Sequence, residues 1–371
     1  MYTFGLLLVA TLINIKVGLF ILFGFITIFF KKVKLSKSYE VIAFLLVLKL
    51  VWMLAIHFSI GTRTGDLYLP QLITQDIILL LMLFIPLSRV NAAQILIPIV
   101  FLFALDFSFN MSILFFDVDP LGRLIGHRPD DVLPRAGGIF NHAFTSINIT
   151  GVAFFIGVFL RSKTIMFFAL AALLLNGSMR GPLVGILILL SAFLLYFHFN
   201  KGTVFLVLLG FVATVFLVTY ISADNAEYIS GNYLRIIAWD NAVNHIIQNP
   251  ILGTHIFKGD EYILIDGGRS GYNIRNAESQ FLQVALDFGI IVAMITPLIF
   301  FIFMHLNIKK YYSGGRSWEA FSAALMAMVI FTDYFYASFY GSILTQFVFS
   351  VIAISYIGSK EIQFSNSSKK L

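Results

Sequence analysis

Apolar runs of bilayer length, parted by short polar breaks, recur from one end of this chain to the other. Such runs fold as helices that cross a membrane, because in hydrocarbon every backbone N–H and C=O must find its partner within the segment. Length and pattern place helices at roughly 3–30, 39–60, 67–87, 91–109, 144–160, 164–177, 181–199, 203–221, 279–304, 319–336 and 341–358. The expectation is an all-α polytopic membrane protein of about eleven crossings, a single integral membrane domain spanning 1–371. Hydrophobic residues make up 59% of the chain and charged ones only 12%, a balance that soluble domains do not keep. The sixth and seventh helices come from one long run that Asn176, Gly177, Gly181 and Pro182 break in two. Met1-Tyr2-Thr3 lacks a basic n-region, and no small-residue cleavage site follows, so the first run reads as an uncleaved span.

Orientation follows from the loop cations. If 31–38 (KKVKLSKS) is cytoplasmic, so are Arg89, Arg161, Lys163, Lys201, Lys309, Lys310, Arg316, Lys360, Lys369 and Lys370. An odd span count then puts the N-terminus outside and the C-terminus in the cytoplasm. The outer side holds both long loops, 110–143 and 222–278. The net charge of +6 does not argue for nucleic acid, because the cations are sorted by membrane side. There is no cysteine, which excludes disulfides and thiolate metal sites. No HExxH pattern appears, and no protein-bound metal or other cofactor is expected.

Three outer arginines stand against apolar segments: Arg135 in PRAGGIFNH, Arg180 in NGSMRGP and Arg235 in YLRIIAWDNAVNHIIQNPILG. A charge near hydrocarbon costs a few kcal/mol unless compensated, and planar guanidinium forks suit phosphate better than point charges do. The pattern points to a phosphate-bearing lipid handled at the outer face. Loop 222–278 should contain one interfacial helix, capped by Asn232 and stopped by Asn249-Pro250. Its apolar stripe is Leu234, Ile236, Trp239, Val243, Ile246 and Ile247, and Asn241, Asn244, His245 and Gln248 lie opposite. A Gly/Asn-rich stretch with Arg275 then leads to Glu278 at the mouth of the ninth span.

PRAGGIFNHAFTS, LNGSMRGPLVGIL, YLRIIAWDNAVNHIIQNPILG and NAESQFLQVALDFGI resemble, in this order, successive blocks of the O-antigen ligase and O-antigen polymerase superfamily. The resemblance covers roughly residues 130–300 and implies a glycosyltransferase with a fold like the GT-C enzymes, in the bacterial inner membrane. Its outer loops would be periplasmic. It implies transfer of a glycan from undecaprenyl pyrophosphate to a sugar hydroxyl, with no required metal. The partners implied are the lipid-linked oligosaccharide and membrane lipid, with room for a chain-length regulator protein. The family's functional arginines fall on Arg135, Arg180 and Arg235. Ligases typically carry histidine where this chain has Glu278, which favours a polymerase of O-antigen or exopolysaccharide over a ligase to lipid A–core. Chemistry agrees: guanidinium groups stabilise a departing pyrophosphate, and a carboxylate serves as base for the attacking hydroxyl. Arg180 and Glu278 are therefore the expected catalytic pair. Arg135, Arg235, Arg275, His142 and His245 are the expected substrate contacts.

Each residue also has a purely structural reading. Arg180 can cap the carbonyls ending span six, Arg135 can pair with Asp130 or Asp131, and Arg235 can snorkel or pair with Asp240. Glu278 can be a first-turn acid favoured by its helix dipole, and His142 and His245 can satisfy local hydrogen bonds. Lys16, Lys49, Asp76 and Asp106 lie inside spans and are expected to pair with one another rather than to form an ion pathway. Tyr334, Phe335, Tyr336, Phe339 and Tyr340 read as an aromatic belt at the outer interface. A transporter or flippase of lipid-linked saccharide is the alternative class; it predicts broken helices in matching halves, and the sequence shows only one broken run. An envelope sensor or scaffold is a third, but it has no need of three outer arginines.

Overall fold

The structure is a computed structural model. It describes residues 37–60, 72–73, 76–77, 79–80, 83, 92–122, 138–140, 143–176, 180–224, 231–254, 277, 279–313 and 317–336. Among these residues it is all-helical, with no strand. The helices are α1 (Lys37–Ile60), α2 (Ala92–Phe116), α3 (Ala143–Phe159), α4 (Lys163–Leu175), α5 (Arg180–Tyr196) and α6 (Lys201–Asp224). They continue with α7 (Gly231–Gln248), α8 (Gln280–Phe288), α9 (Ile290–Ser313) and α10 (Trp318–Tyr336), and a 3-10 turn covers Gly138–Phe140. Two stretches, Lys37–Ser59 and Ile290–Ser313, are each long and apolar enough to cross a membrane. The expected spans at 3–30 and 341–358 lie outside the described residues. Of 67–87, the described residues are helical, with Leu72, Asp76, Leu79 and Leu83 buried along one face.

The helices are apolar outside as well as inside. On α1 the buried stripe is Ile42, Leu46, Lys49, Met53 and Ile56, while Phe44 is 65% and Phe58 78% exposed. Phe115 and Phe167, both 68% exposed, repeat this on α2 and α4. Exposed aromatics on several helices make a surface that water does not favour and lipid does. At the centre stands α10, which touches α3, α5, α6, α8 and α9. Its small residues Ala320, Ser322, Ala323, Ala324 and Ala327 are buried, so neighbouring backbones approach closely, as in membrane bundles. The Ser322 hydroxyl donates to the Phe155 carbonyl of α3 at 2.8 Å.

Three turns meet at one end of the bundle. Arg161 lies over the Trp318 ring at 5.7 Å, the Tyr312 hydroxyl donates to the Phe199 carbonyl at 2.5 Å, and His198 stacks on Tyr311. These are the α3–α4, α5–α6 and α9–α10 turns that the cation count assigns to one side.

Several boundaries differ from the sequence expectation. Helix α2 runs past 109 to Phe116, because Asn110 is buried and hydrogen-bonded rather than a helix stop. The run 279–304 is two helices, α8 and α9, broken at Gly289, and the second continues to Ser313. The break between α4 and α5 is where Asn176 and the glycines put it. Lys49 pairs with Asp76 at 2.9 Å, both buried, as expected. Asp106 has backbone and neutral side chains among its partners, and Lys16, the other cation of the expected pairing, lies outside the described residues. Tyr334 is not an interfacial belt residue. It is buried, and its hydroxyl donates to the Ala293 carbonyl at 3.2 Å. That carbonyl is the one Pro297, lacking an N–H, leaves without its helical donor. Phe339 and Tyr340 lie outside the described residues.

Candidate functional site

Helix α7 carries Arg235 and His245. It begins at Gly231, so Asn232 lies within it rather than capping it, and it ends at Gln248 before Asn249-Pro250. The buried face is built mainly of alanines, and Val243 and Ile247 of the expected lipid-facing stripe are exposed. Ala238, Ala242 and Ile246 are inside, whereas Val243 is 41% and Ile247 69% exposed. Alanines win that face because α7 packs on α6 and α8, where close approach outweighs side-chain size. Arg235 is three residues before Ala238 and half-buried on the same face; His245 flanks it, also half-buried.

Beyond α7 the chain folds back onto the α8–α9 junction. The Thr254 N–H donates to the Leu286 carbonyl at 2.7 Å, and the Ile290 N–H donates to the Pro250 carbonyl at 2.8 Å. Both sides of this joint require glycine. Gly289 has φ 87 and ψ 163, a conformation essentially reserved for glycine, and a Cβ there would sit 1.9 Å from the Ile251 carbonyl oxygen. Gly253 (φ +80) would place its Cβ 2.5 Å from the Leu286 oxygen. NPILG and LDFGI, distant in sequence, thus form one joint. The second helix break, which a transporter reading would take for an unwound binding segment, is this docking point.

Residue Glu278 lies outside the described residues, as do Arg135, His142 and Arg275, but both neighbours of Glu278 are fixed. Ala277 is fully buried, and its N–H donates to Gln283 Oε1 at 2.9 Å. Ser279 caps α8, accepting from the Leu282 N–H at 3.4 Å and donating to the Phe335 carbonyl of α10 at 2.8 Å. The helix thus starts after Glu278, not with Glu278 in its first turn. Gln280, at the first position of α8, is buried, and among the described residues its Oε1 has no partner. Sequence reasoning passed over it, and no pattern around it gives a signal.

The glycine pair of PRAGG has its own anchor, also missed. Asp106 Oδ1 accepts from the Ile139 N–H at 3.0 Å, and Oδ2 accepts from Ser146 Oγ at 2.6 Å and from Asn110 Nδ2 at 3.1 Å. A Cβ on Gly138 (φ +54) would meet Asp106 Oδ1 at 1.8 Å. A fully buried carboxylate of α2 therefore holds the turn between Arg135 and His142.

Arg180 is the first residue of α5, and of it only the backbone is described. Gly181 lets α5 start against α4: a Cβ would sit 2.5 Å from the Leu173 carbonyl oxygen. Helix α5 packs on α10, as do α3 and α8, so one central helix gathers the elements that bear three of the four sequence blocks.

Residues 164–296 match the family model described as O-antigen ligase. That match places the segment in the O-antigen ligase and polymerase superfamily. No curated protein matches the chain. The matched segment runs from α4 into α9 and takes in Arg180, Arg235, His245 and Glu278, together with the whole glycine joint. Arg135 and His142 lie before it. Among the described residues no group of His, Asp and Glu is arranged to hold a metal ion.

Proposed function

We propose that this chain is a polyprenyl-pyrophosphate-dependent glycosyltransferase that polymerises surface polysaccharide, O-antigen or exopolysaccharide, at the periplasmic face of the bacterial inner membrane. The observation that carries the reading is the O-antigen ligase match over 164–296, which coincides with the joint uniting Arg235 on α7 with the anchored flanks of Glu278. In this reading about eleven spans cross the bilayer, with the N-terminus periplasmic and the C-terminus cytoplasmic. The meeting of the 161–163, 198–201 and 309–318 turns at one end supports that alternation.

The chemistry is a single displacement. The sugar hydroxyl of the acceptor gives its proton to Glu278 as its oxygen bonds to the anomeric carbon, and the bond to the pyrophosphate oxygen breaks with inversion. Arg180, Arg135 and Arg235 take up the charge on departing undecaprenyl pyrophosphate, and Arg275, His142 and His245 contact substrate. No metal enters the step. The acceptor is another lipid-linked chain, and a chain-length regulator protein is a further partner. The second reading is transfer to lipid A–core as a ligase, with which the same family description is equally consistent.

Gene deletion in the host, with gels of surface glycan and of lipid-linked intermediates, separates the two. Glycan of one repeat means polymerase; loss of surface glycan with long lipid-linked chains means ligase. Reintroduced Glu278→Gln should slow transfer about 10²–10⁴-fold, and Arg235→Lys and Arg180→Lys, which keep charge but lose the fork, should also fall sharply while still inserting. Normal glycan in all three variants would remove these residues from the mechanism.

A further inference from the structure

We propose that Gln283 is a positioning residue for the transfer: its side-chain amide ties the backbone immediately before Glu278 to the buried carboxylate of Asp287. This rests on the reading of Glu278 as the base. Gln283 Oε1 accepts from the Ala277 N–H at 2.9 Å, and Gln283 Nε2 donates to Asp287 Oδ1 at 2.9 Å. Ala277 and Asp287 are both fully buried. A glutamine that merely capped α8 would sit at its third residue and reach back to the cap N–H. Gln283 is the fourth, and it reaches past the Ser279 cap to a residue outside the helix. Its bond therefore serves the strand of chain that bears Glu278, not the helix terminus.

Asp287 gives the amide its direction. Because Nε2 donates to that carboxylate, Oε1 is the end turned to the Ala277 N–H; an amide turned the other way would oppose two donors. On the far side, Ser279 is tied to the Phe335 carbonyl of α10. Residues 277 and 279 are the two covalent neighbours of position 278, and each is held by a hydrogen bond to a packed helix. A base must lie within hydrogen-bond reach of its proton, and a displacement of about 1 Å can cost about 10²-fold in rate.

The test uses full-length protein in membrane vesicles from a host strain lacking the gene, supplied with radiolabelled lipid-linked oligosaccharide extracted from that strain. Gln283→Glu keeps the acceptor for Ala277 but loses the donor and sets two carboxylates together. Chain extension should fall about 10²-fold, with donor capture and protein amount unchanged. Adding Asp287→Asn to it restores a donor for the introduced carboxylate and keeps an acceptor oxygen on the replaced side chain, so extension should recover to within about tenfold of the parent. Gln283→Leu should stay low, and Asp287→Asn should not rescue it. Parental extension in Gln283→Leu overturns the proposal, as does a loss that only parallels the amount of folded protein, or a double variant no better than Gln283→Glu. Glu278→Gln run alongside separates the two failures. If it extends at the parental rate, the base assignment falls. If it is inactive while Gln283→Leu is normal, only the positioning role falls.

Discussion

Two turns that frame the candidate site are held in opposite ways. The turn at Gly138-Ile139, between Arg135 and His142, is tied to a side chain, the Asp106 carboxylate, to which Asn110 and Ser146 also donate. The segment 249–254, which joins α7 to the α8–α9 junction, is held by main chain on both sides. Both depend on glycine, but the atoms that crowd the glycines differ. At Gly138 the obstacle is a carboxylate, which has torsions to yield. At Gly289 it is the Ile251 carbonyl, which has none. A side-chain anchor is chemically adjustable and can be lost by one substitution, whereas a backbone joint is indifferent to side chains and intolerant only of a Cβ.

The harshest way to break this contrast is Gly289→Ala. It combines a conformation costing about 1–3 kcal/mol for other residues with overlap against immovable main chain. The variant should lose most of its folded protein in detergent melting, and Glu278 and Arg235 chemistry should vanish together because one joint serves both. A melting curve close to that of the parent would mean that the joint opens without consequence.

Gly138→Ala should be milder, at about 1–3 kcal/mol, because the Asp106 side chain can move. The contrast predicts coupling. In an Asp106→Ala background the added methyl of Gly138→Ala should cost clearly less than in the parent, by a difference of about 0.5–3 kcal/mol in a double-mutant cycle. Strict additivity would show that the carboxylate is not what the glycine accommodates.

The same contrast explains what the sequence could disclose. Punctuation read locally was legible: Asn176 to Gly181 parts α4 from α5, and Asn249-Pro250 ends α7. The four blocks were legible as a family resemblance, and the match over 164–296 takes in the last three of them. The break at Gly289 was not, since VALDFGIIVAM stays apolar throughout and what breaks it is a carbonyl from residue 251. The anchoring role of Asp106 was not legible, since one of its partners is a backbone N–H 33 positions on. The inner face of α7 was not legible, because its alanines give no apolar stripe, and only tight packing on α6 and α8 shows that Ala238 and Ala242 lie inside. Tyr334 went to a belt because nothing local shows that Pro297 leaves a carbonyl for it to meet.

The finest test compares one hydroxyl at each anchor. Ser146 Oγ lies between Asp106 and Asn110, donating to one at 2.6 Å and accepting from the other at 2.5 Å. Ser146→Ala therefore strips a partner from two buried polar groups and should cost about 1–3 kcal/mol. Thr254 Oγ1 approaches the Leu286 carbonyl at only 3.5 Å, while the backbone N–H of the same residue holds that oxygen at 2.7 Å. Thr254→Val keeps the shape and the backbone bond, so its effect should stay within about 0.5 kcal/mol. Melting both variants in one detergent reads the difference directly. If Thr254→Val proved as costly as Ser146→Ala, the joint at 249–254 would be a side-chain anchor after all. The Leu286 carbonyl would then depend on the hydroxyl as much as on the N–H, and the contrast between the two turns would collapse.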